Sequence, residues 1–272
     1  MATTMTDRKI APLPGTRPEG ARDEREAAAR VRDMFGQIAP RYDFLNHLLS
    51  LSLDRVWRRR TARRFTEILR RPEARAIDVC CGTGDLAFAL ARERKRAMQA
   101  DAVSPSGERS AAPVIGSDFV EPMLGRARDK ARAAGYRAEF AAADALRLPF
   151  ADDSADLLTS AFGFRNLANY EQGLREFARV LRPGGELGIL EFTEPGAGPL
   201  AGIFRFYFRR ILPLVGGAIS GNREAYRYLP GSVAKFPSAG ELAALMERCG
   251  FCEVRVSSWN FGSVALHTAR RA

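Results

Sequence analysis

Short apolar runs alternate with runs of helical periodicity along most of the second half of this chain. Strands are predicted at 76–80, 114–119, 138–144, 154–162 and 186–192, with helices at 86–94, 121–135 and 171–181 between them and a turn at 182–185 before the fifth strand. Strands that alternate with helices are typical of a parallel sheet covered on both faces. Near the end, a helix at 238–250 precedes strands at 252–259 and 263–270. Their three-residue link, 260–262, predicts an antiparallel pair.

The pattern therefore predicts an α/β fold with a doubly wound, mostly parallel seven-stranded sheet and an antiparallel C-terminal strand. Before the first strand, residues 23–71 are predicted to form an N-terminal helical extension, because leucines recur there at helical spacing. We expect a single domain over 23–272, preceded by a flexible tail at 1–22. Two segments interrupt the alternation: 95–113 is predicted as an inserted loop, and 200–237 as a lid or substrate element.

Composition and charge narrow the class of partner. The chain has 272 residues, is 46% hydrophobic and carries a formal net charge of +10. A basic protein of this kind suits nucleic acid, an anionic membrane or an anionic ligand. The arginines scatter over many predicted helices and form no long block, which disfavours a dedicated nucleic-acid surface. No uninterrupted stretch of 18 apolar residues occurs and the N-terminus lacks the apolar core of an export signal, so we expect a cytoplasmic protein with reduced cysteines.

A glycine-rich turn follows the first predicted strand, in the sequence DVCCGTGD at 78–85. Gly82 and Gly84 allow close approach of the backbone to a ligand at the carboxyl edge of the sheet. The turn matches neither the dinucleotide fingerprint nor a phosphate-binding P-loop. The glycines alone fit an ordinary strand-to-helix turn equally well. Asp118 and Asp144, which close the next two strands, change the balance and together indicate a nucleoside pocket.

Several longer motifs carry a family resemblance. DVCCGTGDL, GSDF, ADALRLPF, FGFRN and RVLRPGG resemble those of class I S-adenosylmethionine-dependent methyltransferases. The segments at 41–58, 161–170 and 223–237 resemble, more closely, the quinone-biosynthesis C-methyltransferases, which act on demethylmenaquinol or a polyprenyl benzoquinol. The resemblance extends over about residues 31–270.

The resemblance implies S-adenosylmethionine as the methyl donor and no metal. It also implies a set of cofactor contacts, in which the residue at the end of the fourth strand contributes only its backbone. The implied set is Asp78, Gly82, Thr83 and Gly84 at the methionine end, Asp118 on the ribose, Phe119, Asp144 and Ala145 at the adenine, and Ala161.

Arg165 and Asn166 are the predicted catalytic residues. Methyl transfer to carbon needs a hydroquinone oxyanion that directs electron density onto the neighbouring ring carbon. Arginine stays protonated, so Arg165 would polarise a water or stabilise the oxyanion, and Asn166 would hold a ring oxygen. The alternative is that Arg165 simply pairs with a nearby carboxylate. Further substrate candidates are Tyr42, Asp43, Tyr226 and Tyr228, whereas His47, among leucines, is expected to be structural.

Demethylmenaquinol is the favoured substrate, and 2-polyprenyl-6-methoxy-1,4-benzoquinol is the second candidate. An alternative of another class is a basic RNA-binding or RNA-modifying protein on the same fold. A prenylated quinol resides in the membrane, so we expect peripheral contact with its inner face through the aromatic and basic segment 204–217. A homodimer is an open option. Two cysteine pairs, Cys80–Cys81 and Cys249–Cys252, are poorly spaced for zinc and are not expected to bind metal.

Overall fold

The computed structural model describes residues 15–18, 20–100, 111–194 and 223–272, with isolated positions at 202, 206 and 210. Seven strands form one sheet in the order β3-β2-β1-β4-β5-β7-β6. The strands are β1 Ala76–Val79, β2 Val114–Asp118, β3 Ala138–Ala142, β4 Ala155–Ala161, β5 Leu181–Phe192, β6 Phe251–Trp259 and β7 Val264–Arg271. β7 pairs antiparallel with both β5 and β6, whereas the other pairings are parallel, which confirms the predicted fold class.

The strand order reverses at β1, which lies between β2 and β4. Asp78 of β1 pairs with Gly116 on one side and Thr159 on the other. A sheet of this kind opens a crevice beyond the carboxyl ends of the strands at the point of reversal. The glycine turn, Asp118 and the end of β4 therefore meet at one edge of the sheet.

Helices cover both faces of the sheet. They are α1 Glu24–Ile38, α2 Tyr42–Leu49, α3 Leu53–Arg64, α4 Thr66–Leu69, α5 Asp85–Ala100, α6 Glu121–Ala134, α7 Tyr170–Val180, α8 Arg223–Lys235 and α9 Ala239–Arg248. Their ends are set by local chemistry: Asp23 accepts a hydrogen bond from the Glu26 N–H at the start of α1, and Ser238 forms a capping box with Glu241 at the start of α9. Within the described residues, no helix combines the length and apolar character that a membrane crossing requires.

Two buried clusters hold the layers together. One lies between the sheet and α7 and α9, and includes Ile77, Leu158, Phe177 and Leu245. The other packs α3, α4 and α5 on the opposite face around Phe65. Phe65 also explains a glycine in β5, because a Cβ at Gly188 would lie 2.6 Å from the Phe65 ring.

The structure differs from the sequence-based expectation in four segments. Helix α5 continues to Ala100, so the first part of the predicted 95–113 loop is helical, and residues 101–110 lie outside the described part. The predicted turn at 182–185 lies inside β5 as a bulge. Residues 223–235 of the 200–237 element form helix α8, which the sequence did not predict; the role of the element as a lid stays a prediction, and of 204–217 only positions 206 and 210 are described.

The fourth difference concerns the N-terminal tail, predicted to be flexible over 1–22. Residues 1–14 are outside the described part. Thr16, however, is buried, its N–H donates to the Leu167 carbonyl at 2.9 Å, and a Cβ at Gly15 would overlap the backbone of Ala168. The tail prediction is wrong for this short segment, because it packs against the loop that follows β4.

Candidate active site

The glycine turn brings the backbone between β1 and α5 close to the crevice. Cys80, Gly82 and Gly84 all have positive φ angles, of 56°, 55° and 88°. A Cβ at Gly84 would lie 2.9 Å from the Phe88 ring. A Cβ at Gly82 would meet nothing closer than the Tyr42 ring at 3.9 Å, so it would fill the crevice itself. The turn is thus shaped to leave room for a ligand.

Asp118 joins the glycine turn to the end of β2. Its two carboxylate oxygens accept hydrogen bonds from the Gly82 N–H at 2.8 Å and the Val120 N–H at 2.9 Å. Burial raises the pKa of Asp118, and these backbone N–H groups oppose the rise. Each oxygen retains a lone pair, so the carboxylate can accept further hydrogen bonds, as the predicted ribose contact requires.

Asp78 is a buried carboxylate with incomplete hydrogen bonding. Its Oδ1 accepts from the Thr159 hydroxyl at 2.9 Å, whereas no hydrogen-bond partner for Oδ2 lies among the described residues. Burial raises the pKa of Asp78 to about 7, against the lowering effect of Thr159 and Arg58. A cationic ligand beside this carboxylate would compensate it.

A pocket of about 930 Å³, counting its open mouth, lies over these residues. Ten of the residues predicted from the sequence line it, and Gly84, Asp43, Arg165 and Tyr228 do not. The ten are Tyr42, Asp78, Gly82, Thr83, Asp118, Phe119, Asp144, Ala145, Ala161 and Asn166.

These residues fit S-adenosylmethionine, which carries a sulfonium, an ammonium group and a ribose. The partnerless Oδ2 of Asp78 offers a counter-charge to the cationic end, and the space above Gly82 admits the ligand backbone. Asp144 uses Oδ1 to accept from the Leu146 N–H at 2.9 Å, which fixes its carboxylate at the pocket wall.

Arg165 forms a buried ion pair behind the pocket. Its Nη1 lies 3.1 Å from Glu191 Oε2 and also donates to the Phe162 carbonyl, and its backbone N–H donates to Glu191 Oε1 at 3.1 Å. Burial by itself would lower the pKa of Arg165. The negative charge of Glu191 and the hydroxyls of Tyr42 and Tyr228 have the larger, opposite effect, so the pKa is raised above its ordinary value. Burial raises the pKa of Glu191, opposed by Arg165. The alternative that Arg165 pairs with a carboxylate is therefore realised, and its catalytic role stays a prediction.

Asn166 reaches the pocket with its amide oriented by a tyrosine. Its Oδ1 accepts a hydrogen bond from the Tyr228 hydroxyl at 3.1 Å. With the oxygen engaged, the amide N–H₂ remains available as a donor. Tyr228 thus contacts the predicted catalytic residue rather than the pocket wall, and burial raises the pKa of Tyr228 well above its usual value. The Tyr226 side chain lies outside the described part.

Asp43, predicted near the substrate, instead binds the glycine turn. It accepts hydrogen bonds from the Thr83 hydroxyl and, at 2.9 Å, from Lys130 Nζ. Lys130 also lies 2.6 Å from Asp85 at the start of α5. The carboxylate therefore braces the methionine end of the pocket from α2.

Arg58, a buried cation that lines the pocket, was not among the residues expected from the sequence. It pairs with Asp54 on its own helix and lies 3.8 Å from Asp85. Asp54 also accepts from Ser50 at 2.6 Å and contacts His47 Nδ1 at 2.8 Å. The i,i+4 spacing of Asp54 and Arg58 was a signal for the pair, but nothing in the sequence indicated its burial.

Thr16 is a second residue at the site that the sequence did not indicate. Its hydroxyl donates to the Arg165 carbonyl at 2.5 Å and lies 2.6 Å from the Tyr170 hydroxyl. Because the contact joins residues 149 positions apart, no local pattern could have predicted it. The segment around Thr16 therefore helps to fix the loop that carries Arg165 and Asn166.

The cysteines do not form a common site. Cys80 and Cys81 follow β1, whereas Cys249 ends α9 and Cys252 lies within β6. Strands β4, β5 and β7 separate β1 from β6. Burial, with Asp118 and Asp78 nearby, raises the pKa of both turn thiols well above the usual range, which disfavours the thiolate. Within the described residues, the single cluster with metal-ligand spacing is His47, Asp54 and Asp85, and it contains no cysteine.

Comparison with known proteins now decides the family. The model of the ubiE/COQ5 methyltransferase family matches residues 22–271. This chain belongs to that family. It is 48% identical over 238 residues, 88% of the chain, to the full length of a protein from Thermus thermophilus named demethylmenaquinone methyltransferase. It is 41% identical over 250 residues, 90% of each chain, to the ubiquinone/menaquinone biosynthesis C-methyltransferase UbiE of Geobacter sulfurreducens.

A solved structure supports the fold of this family member independently. The crystal structure of a Thermotoga maritima S-adenosylmethionine-dependent methyltransferase, described as a possible histamine N-methyltransferase, superposes with a TM-score of 0.52. It covers 88% of this chain and all of that one, at 17% identity, so it supports the fold alone. Family and fold together make S-adenosylmethionine the methyl donor of this enzyme.

Proposed function

We propose that this family member transfers a methyl group from S-adenosylmethionine to a ring carbon of demethylmenaquinol, giving menaquinol. The observation that carries the proposal is that Asn166 lines the same pocket as Asp78 and Asp118. A quinol held by Asn166 would therefore share one cavity with the donor. The name of the Thermus thermophilus relative supports the choice of substrate.

The chemistry requires an electron-rich carbon close to an electrophilic methyl group. When bound, S-adenosylmethionine supplies that methyl group on a positively charged sulfur. Asn166 donates its amide N–H to a ring oxygen and fixes the ring, with Tyr228 holding the amide in place. Alignment of the two reactants in one cavity lowers the activation barrier by up to about 7–11 kcal/mol.

The second requirement is a partly or fully ionised ring hydroxyl. Arg165, held by Glu191 just behind Asn166, contributes positive charge that favours the oxyanion as the hydroxyl loses its proton. Because the guanidinium itself stays charged, it is not the base, and the proton leaves to solvent water at the open mouth of the pocket. Arg165 does not line the pocket, so its charge would act on the oxyanion from behind Asn166 and not through a direct contact.

The proposal includes no metal. The carboxylates of the His47, Asp54 and Asp85 cluster already neutralise Arg58 and Lys130. A divalent ion at this cluster would have to displace both cations. The ring oxyanion would instead be stabilised by hydrogen-bond donors and by the charge of Arg165.

The test incubates the protein with S-adenosylmethionine and either demethylmenaquinol or 2-polyprenyl-6-methoxy-1,4-benzoquinol, under reducing conditions. Mass spectrometry should find the gain of one methyl group on demethylmenaquinol. Transfer only to the benzoquinol would favour the second substrate, and transfer to RNA but to neither quinol would reject the proposal. The oxidised quinone is the matched control, since it lacks the ionisable ring hydroxyl and should gain no methyl group.

The role of Asn166 has its own variant and control. Asn166→Leu keeps the approximate volume but removes the donor, so turnover should fall about 10- to 100-fold while donor affinity stays near that of the parent. Tyr228→Phe removes only the group that orients the amide, so a smaller loss is expected. Equal losses of turnover and donor affinity in Asn166→Leu would indicate a structural role.

A further inference from the structure

Among the side chains that the structure describes, the outer side of α2, α3 and the turn between them exposes only apolar and cationic residues apart from one serine. The exposed apolar side chains are Phe44, Leu48, Leu51 and Leu53, with fractional exposures of 61%, 40%, 78% and 37%. The exposed cationic side chains are Arg55, Arg59, Arg60, Arg63 and Arg64. We call the surface formed by these residues the α2–α3 face.

The two carboxylates of α2 and α3 do not pair with the exposed arginines of the α2–α3 face. Asp43 points to Thr83 and Lys130, and Asp54 is buried against Arg58. Among the described residues, neither Arg55 nor Arg59 has a carboxylate within ion-pair distance. The face therefore presents net positive charge beside exposed leucines.

The turn that carries Leu51 is built to hold it outward. Leu51 and Ser52 both have left-handed backbone, with φ angles of 51° and 59°. This conformation costs about 1–2 kcal/mol for an L-residue. The turn is fixed by the Ser52 N–H, which donates to the His47 carbonyl at 2.7 Å, and by the Ser50 hydroxyl on Asp54. The turn therefore holds an exposed leucine at a fixed place on the surface.

The α2–α3 face adjoins the pocket. Tyr42, the first residue of α2, and Arg58 of α3 both line it. Trp57 Nε1 of α3 donates to Asn260 Oδ1 at 2.7 Å, which ties the link between β6 and β7 to this helix. That link exposes Phe261 by 75%.

We propose that the α2–α3 face docks on an anionic lipid bilayer, with its apolar side chains in the acyl boundary and its arginines among the headgroups. Amphipathic surfaces with apolar and cationic residues bind in this way. A second copy of the chain fits less well, because a twofold contact would bring the same arginines face to face. Nucleic acid would match the arginines but leave the leucines in water.

The inference deepens the proposed function, because a prenylated quinol lies in the bilayer beside the pocket. Its test needs neither the methyl donor nor a quinol, so its failure is distinguishable from failure of the proposed reaction. The full chain is sedimented with vesicles of phosphatidylcholine alone or mixed with phosphatidylglycerol. Binding is expected to the mixed vesicles and to weaken as salt rises.

Two variants and two matched controls test the surface. Leu48→Ser should weaken binding to the mixed vesicles about tenfold, whereas Val256→Ser, at 41% exposure on the edge strand β6, should not. Arg55→Gln combined with Arg59→Gln should weaken it about 30-fold, whereas Arg126→Gln on α6 should have little effect. Thermal melts confirm that each variant folds.

Three results would overturn the inference. The first is absence of binding to the mixed vesicles by the parent protein. The second is equal binding by Leu48→Ser and Val256→Ser. The third is a parent dimer, measured by light scattering, that Leu48→Ser converts to a monomer without changing vesicle binding, because a second copy would then cover the face.

Discussion

Replacing Arg165 by methionine leaves the Glu191 carboxylate buried without its cation. Glu191 is fully buried and Arg165 is 4% exposed, so water cannot solvate the remaining charge. Breaking a buried pair from one side costs about 3–5 kcal/mol. For a chain of this size each kcal/mol lowers Tm by about 2–4 °C, so Arg165→Met should melt about 6–20 °C below the parent.

The double variant Arg165→Met, Glu191→Gln is the control for this effect. The glutamine side chain would carry no charge, and its amide oxygen could still accept from the backbone N–H of residue 165 or of Phe192, both of which bind Glu191 at 3.1 Å. The double variant should therefore recover about half or more of the lost free energy of unfolding. If it is less stable than Arg165→Met alone, the cost does not come from an unpaired charge.

The pH dependence gives a second measure of the same pair. Loss of the arginine raises the pKa of Glu191 further, so the folded variant holds a proton that the unfolded chain releases. The stability that protonated Glu191 contributes to the folded variant is fully present below the ordinary carboxyl pKa. It is lost as the pH rises through the raised pKa of the folded state. The destabilisation of Arg165→Met should thus be smallest in acid and grow with pH in denaturant titrations. A pH-independent difference would refute the reasoning.

The same variants separate the structural role of Arg165 from the proposed catalytic one. A double variant that regains stability and donor affinity but not turnover on demethylmenaquinol supports stabilisation of the oxyanion. Regained turnover would assign Arg165 to the fold alone.

Three further predictions concern the donor side of the pocket. Asp118→Ala should weaken S-adenosylmethionine binding about 10- to 100-fold in calorimetry, while Asp129→Ala, an exposed carboxylate on α6, should leave the affinity unchanged. Affinity should rise with pH through about 7, because a cationic ligand favours the ionised form of Asp78, whose pKa is about 7; a parent-like rise in Asp78→Asn would contradict this. Gly163→Ala should destabilise the fold by about 1–3 kcal/mol, since its Cβ would lie 2.4 Å from the Cys80 Cβ; adding Cys80→Gly, which suits the positive φ there, should restore stability in thermal melts.

The sequence by itself determined the sheet, its helices and which residues meet at the carboxyl edge of the strands. These features depend on short-range regularities: apolar periodicity, glycines where φ must be positive, and acids at the ends of parallel strands. The prediction that Asp118 and the glycine turn meet at one edge followed from this topology and is confirmed. Where the local pattern was ambiguous, the prediction was wrong: the turn predicted at 182–185 is a bulge within β5, which pairs with β4 on both sides of it.

Tertiary structure decided what surrounds each of these residues. Burial sets the charge state of Asp78, and the contact of Arg165 with Glu191, 26 residues away, depends on how β5 packs behind the loop after β4. Thr16 and Asp43 reach the site from the N-terminal segments, across 149 and 40 positions. Such contacts are fixed by packing between distant elements. A pattern along the chain records which residues are apolar or charged, but not which of them the fold brings together.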